Sequence, residues 1–326
     1  MNSFGRIFRI SIFGESHGES LGILIDGCPA GIQIQIEDLA VDLERRKKKS
    51  IGTTTRIESD IPVISSGVMN GYSTGAPILI QFKNEDIKSN DYSQFSDIPR
   101  PSHSDFAAKI KYKGFNDIRG GGHFSGRLTL GIVAAGVIAK KLLSQIEIHS
   151  EILSIGGEKD FLEILENAAK TGDSLGGIIE CKVDNLPIVL GEPFFDSVES
   201  VISHLIFSIP GIKGIEFGSG FQSAMMLGSN HNDEIINENG ETRTNHSGGI
   251  VGGLTNGNQL VFRVAVKPTP SISKIQNTIN LKTDEIEKLQ IKGRHDTCFA
   301  LRLPPVIEAA AAIALTDLMM INRTIY

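Results

Sequence analysis

Hydrophobic and polar residues alternate in several short segments, as they do in half-buried β-strands. The alternation predicts strands at Phe8–Phe13, Leu21–Asp26, Ile61–Ser65, Pro77–Phe82, Gly177–Val183, Gly214–Phe217 and Leu260–Val266. Ile32, Ile34 and Ile36 alternate with polar residues in the same way. Glycines such as Gly71 and Gly75 separate these segments, so we expect tight turns between them.

Three other segments have helical spacing. From Glu37 to Lys49 the acidic residues come first and the basic residues last, as the helix dipole favours. Leu128–Leu143 and Ile307–Met320 are apolar on nearly every side. A helix that is apolar all round must be covered all round, so these two predict a helical layer enclosed by other elements. We find no repeat and no long linker, which favours one large α+β domain over residues 1–326.

The composition excludes several classes of protein. The 326 residues are 40% hydrophobic and 21% charged, which is typical of a globular chain and not of collagen, a disordered tail or a coiled-coil rod. Three widely spaced cysteines form neither a disulfide framework nor a zinc-binding pair, and they suit a reducing compartment. The net charge of -6 argues against a general nucleic-acid binder.

Neither the N-terminus nor the apolar stretches predict a secretory or membrane segment. Met1–Gly14 has no basic region followed by an apolar block. The longest apolar stretches, Leu128–Leu143 and Val306–Met320, are short for a membrane span, and charged residues interrupt or flank them. We therefore expect a cytoplasmic protein that has no membrane partner.

The segment Gly14–Gly18 places Ser16 and His17 between glycines, directly after a predicted strand. Its spacing matches G-x-S-x-G, the nucleophile elbow of serine hydrolases. That elbow should lead into a helix and follow several strands, whereas Leu21–Asp26 is predicted to be another strand near the start of the chain. A polar glycine turn is therefore favoured, and the hydrolase is kept as a third hypothesis.

Other polar motifs also lie next to glycines or short turns. RPSHSD (100–105) contains His and Asp but no third metal ligand, so no metal site is predicted. RGGGHFSGR (119–127) leads into an apolar helix, where the glycines permit close backbone approach and the helix start attracts an anion. GRHDTC (293–298) combines a cation, an imidazole and a carboxylate. A plain turn explains each motif taken alone; together they predict a site for a small anionic substrate and a phosphate-bearing cofactor.

Taken in order, these segments resemble the chorismate synthase family along nearly the whole chain. Segments 14–31, 120–136 and 293–309 resemble the three signatures of the family. RPSHSDF, GDSLGG, SIPGIKG, GSGF, TNHSGGIVGG and KPTPSIS lie between them in family order. The resemblance implies a β-α-β sandwich with helices enclosed between antiparallel sheets, usually a homotetramer that binds FMN. The enclosed helices agree with the layer predicted from periodicity.

The resemblance also implies an activity. The family converts 5-enolpyruvylshikimate 3-phosphate into chorismate and phosphate by a 1,4-elimination in the shikimate pathway, and it requires reduced FMN. By this resemblance His17 would protonate the leaving phosphate or hold its charge, and His103 would protonate reduced flavin near N1. Asp296 would assist removal of the C6 proton, supported by Ser16 and Ser125. The implied substrate-binding residues are Arg46, Arg100, Arg127 and Arg294.

Flavin contacts are implied for a further set of positions. They are His123, Phe124, Ser125, Pro210, Gly211, Gly252, Lys267, Pro268, Thr269, Pro270, Ser271 and Arg294. The chain departs from the family at His123–Phe124, where Arg-Ser is common, and at the basic segment 45–52, which lacks its last arginine. The second departure bears on any contact with NADPH, a possible reductant. A flavin-binding protein without lyase activity is therefore the runner-up hypothesis.

Overall fold

The computed structural model of the chain describes residues 2–47, 51–53, 58–85, 89–291 and 295–325. The described strands are β1 (Ser3–Phe4), β2 (Arg9–Gly14), β3 (Ser20–Asp26), β4 (Pro62–Ser66), β5 (Val68–Met69), β6 (Tyr72–Ser73), β7 (Ile78–Lys83), β8 (Glu147–Ile155), β9 (Gly177–Asp184), β10 (Ile212–Phe217), β11 (Ile250–Val251), β12 (Leu254–Thr255), β13 (Leu260–Val266), β14 (Gln276–Asn280) and β15 (Glu285–Leu289). The α-helices are α1 (Ile36–Lys47), α2 (Asp105–Lys111), α3 (Thr129–Leu142), α4 (Leu162–Thr171), α5 (Val198–Ser208), α6 (Gly228–His231) and α7 (Pro304–Ile325).

Two antiparallel sheets enclose the long helices. One sheet has the strand order β1-β2-β3-β7-β4, and the other has the order β10-β13-β9-β8. Helix α3 packs against β3 and α7, while α7 also contacts β8 and β9 of the second sheet. Helix α5 fills the space between α7 and β10. This arrangement confirms the predicted α+β sandwich with enclosed helices.

The two central helices are buried along most of their length. In α3 every residue from Thr129 to Ala139 is buried, and in α7 every residue from Pro305 to Leu318 is buried. By length and composition alone, α7 is apolar enough to cross a membrane, but 78% of its most apolar window is buried inside the protein. Its uniform apolarity is therefore explained by packing on all sides in the core.

A buried charge cluster fixes α1 against the central helices. Glu308 of α7 is 1% exposed and accepts hydrogen bonds from Arg45 of α1, at 2.6 and 2.7 Å, and from Lys140 of α3 at 3.0 Å. Burial opposes ionisation of Glu308, but the two cations outweigh it and lower its pKa. Successive residues of a helix are about 100° apart, so Arg46 leaves α1 in a different direction and reaches Thr129.

The strand predictions are confirmed to within one or two residues, with one exception. Ile32–Ile36 forms only a single bridge, between Gln33 and Tyr72. The alternation there breaks because Ile34 is buried whereas Ile36 already begins α1 and is 47% exposed. The predicted end of that helix at Lys49 lies outside the described residues. Strand β8 was not predicted, since this edge strand carries Glu147 and Glu151 on its exposed face.

Candidate active site

A cleft of about 590 Å³ opens beside the N-terminal end of α3. Its volume is within the range of small-molecule sites. Among the described residues, seven Lys or Arg and three Asp or Glu line it, although the whole chain carries a net charge of -6. The cleft is therefore a cationic site in an acidic protein, which suits an anionic ligand.

Gly120, the first of three consecutive glycines, lines the cleft next to Ser16 and His17. Gly120, Gly121 and Gly122 have φ values of 59°, 83° and 54°, which only glycine adopts easily. A Cβ atom at Gly120 would lie 2.1 Å from Nδ1 of His17 and 2.8 Å from the Ser16 hydroxyl. His17 is 4% exposed and packs edge-on against Tyr92. The imidazole is therefore enclosed directly behind the glycine turn.

The Gly14–Gly18 turn joins two strands. Gly14 of β2 pairs with Leu21 of β3 in an antiparallel hairpin. The nucleophile elbow of hydrolases instead joins a strand to a helix. The geometry at Ser16 therefore favours the glycine turn over the hydrolase hypothesis. His123 fastens this turn, since its ring nitrogen Nδ1 donates to the Gly14 carbonyl at 2.7 Å.

Arg127 is held by buried partners at the start of α3. Its Nε donates to Asn84 Oδ1 at 2.7 Å, and its Nη1 donates to Asp60 at 2.8 Å. Glu58 lies 3.5 Å from Nη2. The side chain of Ser125 caps the same turn by accepting from the Arg127 backbone N–H at 3.3 Å. These contacts fix the guanidinium at the lining of the cleft.

A second group of arginines surrounds Asp296. Arg302 Nε donates to both carboxylate oxygens of Asp296 at 3.1 Å. Arg46 is 6% exposed, and it donates to Thr129 at 2.8 Å and to the Gly126 carbonyl at 3.0 Å. Burial lowers the pKa of Arg46 to about 10, and the neighbouring Arg302 and Arg127 add to this effect. Both of these acceptors of Arg46 are uncharged, so its guanidinium can still take up a bound anion.

Arg100 and Asp105 form a buried ion pair next to His103. Arg100 Nε donates to Asp105 Oδ2 at 2.7 Å and its Nη2 donates to Oδ1 at 2.8 Å. The guanidinium also lies 4.5 Å from the centre of the Phe95 ring. His103 Nδ1 lies 2.7 Å from Asp105 Oδ1. Burial is the largest cause that lowers the pKa of His103, whereas Asp105 raises it.

The opposite wall brings together two segments that are distant in sequence. The backbone N–H of Lys267 donates to the Gly211 carbonyl at 2.9 Å, and Lys267 Nζ donates to the Ser102 carbonyl at 2.7 Å. Burial lowers the pKa of Lys267. The hydroxyl of Thr269 is buried and has no hydrogen-bond partner among the described residues. It is thus free to contact a ligand.

Most of the predicted site residues line this one cleft. They are Ser16, Arg46, Arg100, His103, His123, Phe124, Ser125, Arg127, Pro210, Gly211, Lys267, Pro268, Thr269, Pro270, Ser271 and Asp296. His17 lies behind the wall, and Arg294 lies outside the described residues. Gly252 lies elsewhere, in the turn between β11 and β12 beside the start of α5. Pro210 and Gly211 follow the other end of that 11-residue helix, about 16 Å away along its axis.

Several residues of the cleft were missed by sequence analysis. Asn84 and the carboxylates Glu58 and Asp60 contact Arg127 but lie in segments without a recognisable motif. Arg302 contacts Asp296 and lies within the segment 293–309, yet it was given no role. His295 lies inside the GRHDTC motif yet was given no role. Its Nε2 is buried without a hydrogen-bond partner in the described part of the chain, and burial lowers its pKa to about 4. Only the presence of His295 in that motif could have identified it.

The residues present fit a phosphate-bearing flavin. The unpartnered hydroxyl of Thr269 and the glycine backbone at Gly211 (φ 88°) offer a polar surface that a ligand can approach closely. Lys213 and Lys267 place cations beside that surface, and Phe124 and Phe299 supply aromatic faces. No group of three or more His, Cys, Asp or Glu among the described residues is placed to hold a metal ion.

Comparisons with known proteins agree along the chain. The family model described as chorismate synthase matches residues 8–320. A chorismate synthase of Chitinophaga pinensis is 58% identical over 324 residues, covering 99% of this chain and 98% of that protein. One from Thermococcus gammatolerans is 44% identical and covers 96% of each chain. A crystal structure of chorismate synthase superposes with a TM-score of 0.77 at 27% identity, covering 98% of this chain and 93% of that one.

Proposed function

The chain belongs to the chorismate synthase family, and we propose that it converts 5-enolpyruvylshikimate 3-phosphate into chorismate and phosphate by a 1,4-elimination that requires reduced FMN. Membership of the family makes it a lyase-type enzyme of aromatic amino acid biosynthesis. The observation that carries the proposal is the cationic cleft, which seven Lys or Arg and three Asp or Glu line among the described residues. A substrate with one phosphate and two carboxylates matches this excess of positive charge.

The arginines bind and orient the substrate. Guanidinium groups present forked donors that match carboxylate and phosphate oxygens. Arg46 and Arg127 are held rigidly by Thr129, Asn84 and Asp60, so little conformational entropy is lost when they bind an anion. Arg100 lines the same cleft, and the predicted contribution of Arg294 stays a prediction.

FMN would lie against Gly211, the segment from Lys267 to Ser271, and Phe124. When bound in its reduced form, it supplies electron density that offsets the positive character which develops as an allylic phosphate leaves. The protein excludes water there with Phe124 and Phe299 and offers hydrogen bonds from Thr269. NADPH is a possible reductant.

Two histidines and one carboxylate handle the protons. His17 would protonate or neutralise the leaving phosphate, and His103 would hold a proton near the flavin. Asp296 assists removal of the C6 proton, supported by hydrogen bonds from Ser16 and Ser125. An imidazole suits this work at neutral pH because its proton affinity lies nearby. The rings of His17 and His103 lie against the same glycine turn, at Gly120 and Gly121 respectively.

The proposed activity is tested with purified protein under anaerobic conditions. We expect chorismate and phosphate in equal amounts when dithionite-reduced FMN is supplied, and none with oxidised FMN. Replacing dithionite by NADPH and FMN shows whether the chain reduces its own flavin. Tight flavin binding without chorismate would support the runner-up, a flavin protein without lyase activity.

The hydrolase hypothesis is tested on the same preparation. A serine-directed phosphonate should leave Ser16 unlabelled, because the strand–turn–strand hairpin does not have the geometry of a nucleophile elbow. Ser16→Ala should slow chorismate formation by roughly one to two decades, the effect of one lost hydrogen bond. Stoichiometric labelling of Ser16, detected by mass spectrometry, would instead identify an esterase.

The protein is further proposed to act as a cytoplasmic homotetramer. Large apolar side chains remain exposed on the single chain, including Phe194 at 86%, Phe195 at 92% and Phe221 at 83%. Such side chains are typical of surfaces that a partner covers. Light scattering on the eluting protein measures the mass, for which we expect four times 35.2 kDa.

A further inference from the structure

Within the described part of the chain, the ring of His103 is bound on one edge. Its Nδ1 lies 2.7 Å from Asp105 Oδ1, and the side chain lines the cleft with 17% of its surface exposed. The Nε2 edge lies beside Gly121, where an added Cβ would be 3.4 Å away. Nε2 is therefore the nitrogen that is directed away from Asp105 and available to a ligand.

Asp105 itself is fixed more firmly than a surface carboxylate. It is 6% exposed, and it accepts two guanidinium bonds from Arg100 together with the Arg100 backbone N–H at 3.1 Å. Arg100 is 4% exposed and also donates to the Ser271 hydroxyl at 3.1 Å. Burial opposes ionisation of Asp105, but the hydrogen bonds from Arg100 and His103 hold its pKa well below the usual range.

An ionised carboxylate can only accept hydrogen bonds, so it selects the form of His103 that has a proton on Nδ1. Arg100 Nη2 lies 3.1 Å from Nδ1 and has a second proton, but an unprotonated Nδ1 would face the Asp105 oxygen at 2.7 Å with lone pair against lone pair, which is repulsive. Among the described residues, the charged and titratable groups that face the ring are Arg100, Asp105, Lys267 and His295. Of these, only Asp105 is an acceptor at Nδ1.

We propose that Asp105 is a positioning residue: locked by Arg100, it holds the proton of His103 on Nδ1 and so leaves Nε2 as the atom that exchanges protons in the cleft. The consequence for catalysis rests on the proposed function. The predicted tautomer of His103 is independent of that function, because it is a property of the protein without ligand. A merely structural carboxylate would leave the tautomer of His103 unspecified.

The first test measures that tautomer directly. Protein labelled with ¹⁵N-histidine is studied by NMR, and the signal of His103 among the eight histidines is assigned with His103→Gln. We expect neutral His103 to be protonated on Nδ1 in the wild type. A wild-type ring protonated on Nε2 would overturn the proposal, whether or not the protein makes chorismate.

Asp105→Asn should reverse the tautomer at nearly constant shape. The Oδ2 position faces two donors, the Nε and the backbone N–H of Arg100, so the amide oxygen must stay there. The amide nitrogen then occupies the Oδ1 position, where it gives up the bond from Arg100 Nη2 and donates to His103 Nδ1, which drives the proton to Nε2. The same NMR experiment on the folded variant checks this shift, and an unchanged tautomer counts against the proposal.

The second test measures turnover. Asp105→Asn should lower kcat by roughly a hundredfold or more, the contribution of one general acid–base group, with KM and FMN affinity close to wild type. The control is Asp97→Asn, which removes a nearby carboxylate that pairs with Lys109 and Lys282 and should not change kcat.

In a His103→Ala background, Asp105→Asn should cause no further loss, and an equal loss there would make Asp105 independent of His103. If the wild type makes no chorismate, the proposed function fails while the NMR result still decides the role of Asp105.

Discussion

The side chain of Asn84 connects two parts of the cleft wall that carry chemistry. Its amide nitrogen donates to the carbonyls of Glu15 and Gly18, at 3.0 and 2.7 Å, and its oxygen accepts from Arg127 Nε at 2.7 Å. Asn84 is 5% exposed, so these bonds have no competition from water. One side chain therefore sets the distance between the Ser16–His17 turn and the guanidinium of Arg127.

Asn84→Asp tests this link at nearly constant volume. The carboxylate cannot donate, so the Glu15 and Gly18 carbonyls lose their bonds and face a negative charge. Each buried group left unsatisfied costs about 1–3 kcal/mol, so we expect lower thermal stability and a larger fall in turnover than in FMN affinity. Calorimetry, flavin titration and the chorismate assay measure the three quantities. The exposed Asn239→Asp is the control; equal behaviour of both variants would contradict the linking role.

At the scale of elements, helices α3 and α7 cross with almost no side chain between them. A Cβ atom added at Gly136 would lie 2.2 Å from the Cβ and 2.5 Å from the Cα of Ala309. Both helices are rich in small residues at this crossing, and the close approach holds the start of α3, with Arg127, near the start of α7. Helix contact of this kind depends on volume, because buried cores are close-packed.

Gly136→Ala should destabilise the protein although alanine is the better helix former. Helix propensity alone favours the change by about 1 kcal/mol, but overpacking of a core typically costs about 1–3 kcal/mol. We therefore expect a lower melting temperature. Asn167→Ala, at an exposed position of α4, is the matched control and should be neutral or slightly stabilising. A rise in melting temperature for Gly136→Ala would show that the helices separate easily.

At the scale of the whole molecule, the chain is acidic but concentrates cations around one cleft. This separation of charge draws small anions to the site without making the surface attractive to nucleic acid. Burial in this cleft lowers the pKa of His295 to about 4, and the nearby charge of Arg100 adds to the effect, so His295 is neutral at pH 7. The stability of the fold is thereby coupled to pH.

Stability should fall when the pH falls below about 6.5. An unfolded histidine takes up a proton near pH 6.5, whereas folded His295 does so only near pH 4. Between these values the unfolded state binds more protons, so acid favours unfolding. The free energy of unfolding should decrease by about 2 kcal/mol between pH 7 and pH 5 through this group. Urea titrations at fixed protein concentration measure it. His295→Gln should reduce the dependence by this amount, with a remainder from His103, whose pKa burial also lowers, and the exposed His149→Gln should retain it in full.

Residue periodicity was sufficient to predict the main strands and the two enclosed helices. Alternation reports which side of a strand is buried, and uniform apolarity in Leu128–Leu143 and Ile307–Met320 requires cover on every side. The order of the glycine and histidine motifs was sufficient to predict the family and to identify most residues that line the cleft. These properties depend on neighbours along the chain, which the sequence contains directly.

Only the tertiary structure decided how those residues act on one another. Asn84 reaches Arg127, and Arg45 reaches Glu308, across 43 and 263 positions of sequence. Arg302, to which the sequence analysis gave no role, lies 3.1 Å from the carboxylate of Asp296. Gly252 lies a helix length away from Gly211, although both belong to family motifs. Spacing along a chain contains no information about such distances, because they arise when helices and sheets pack around a common core.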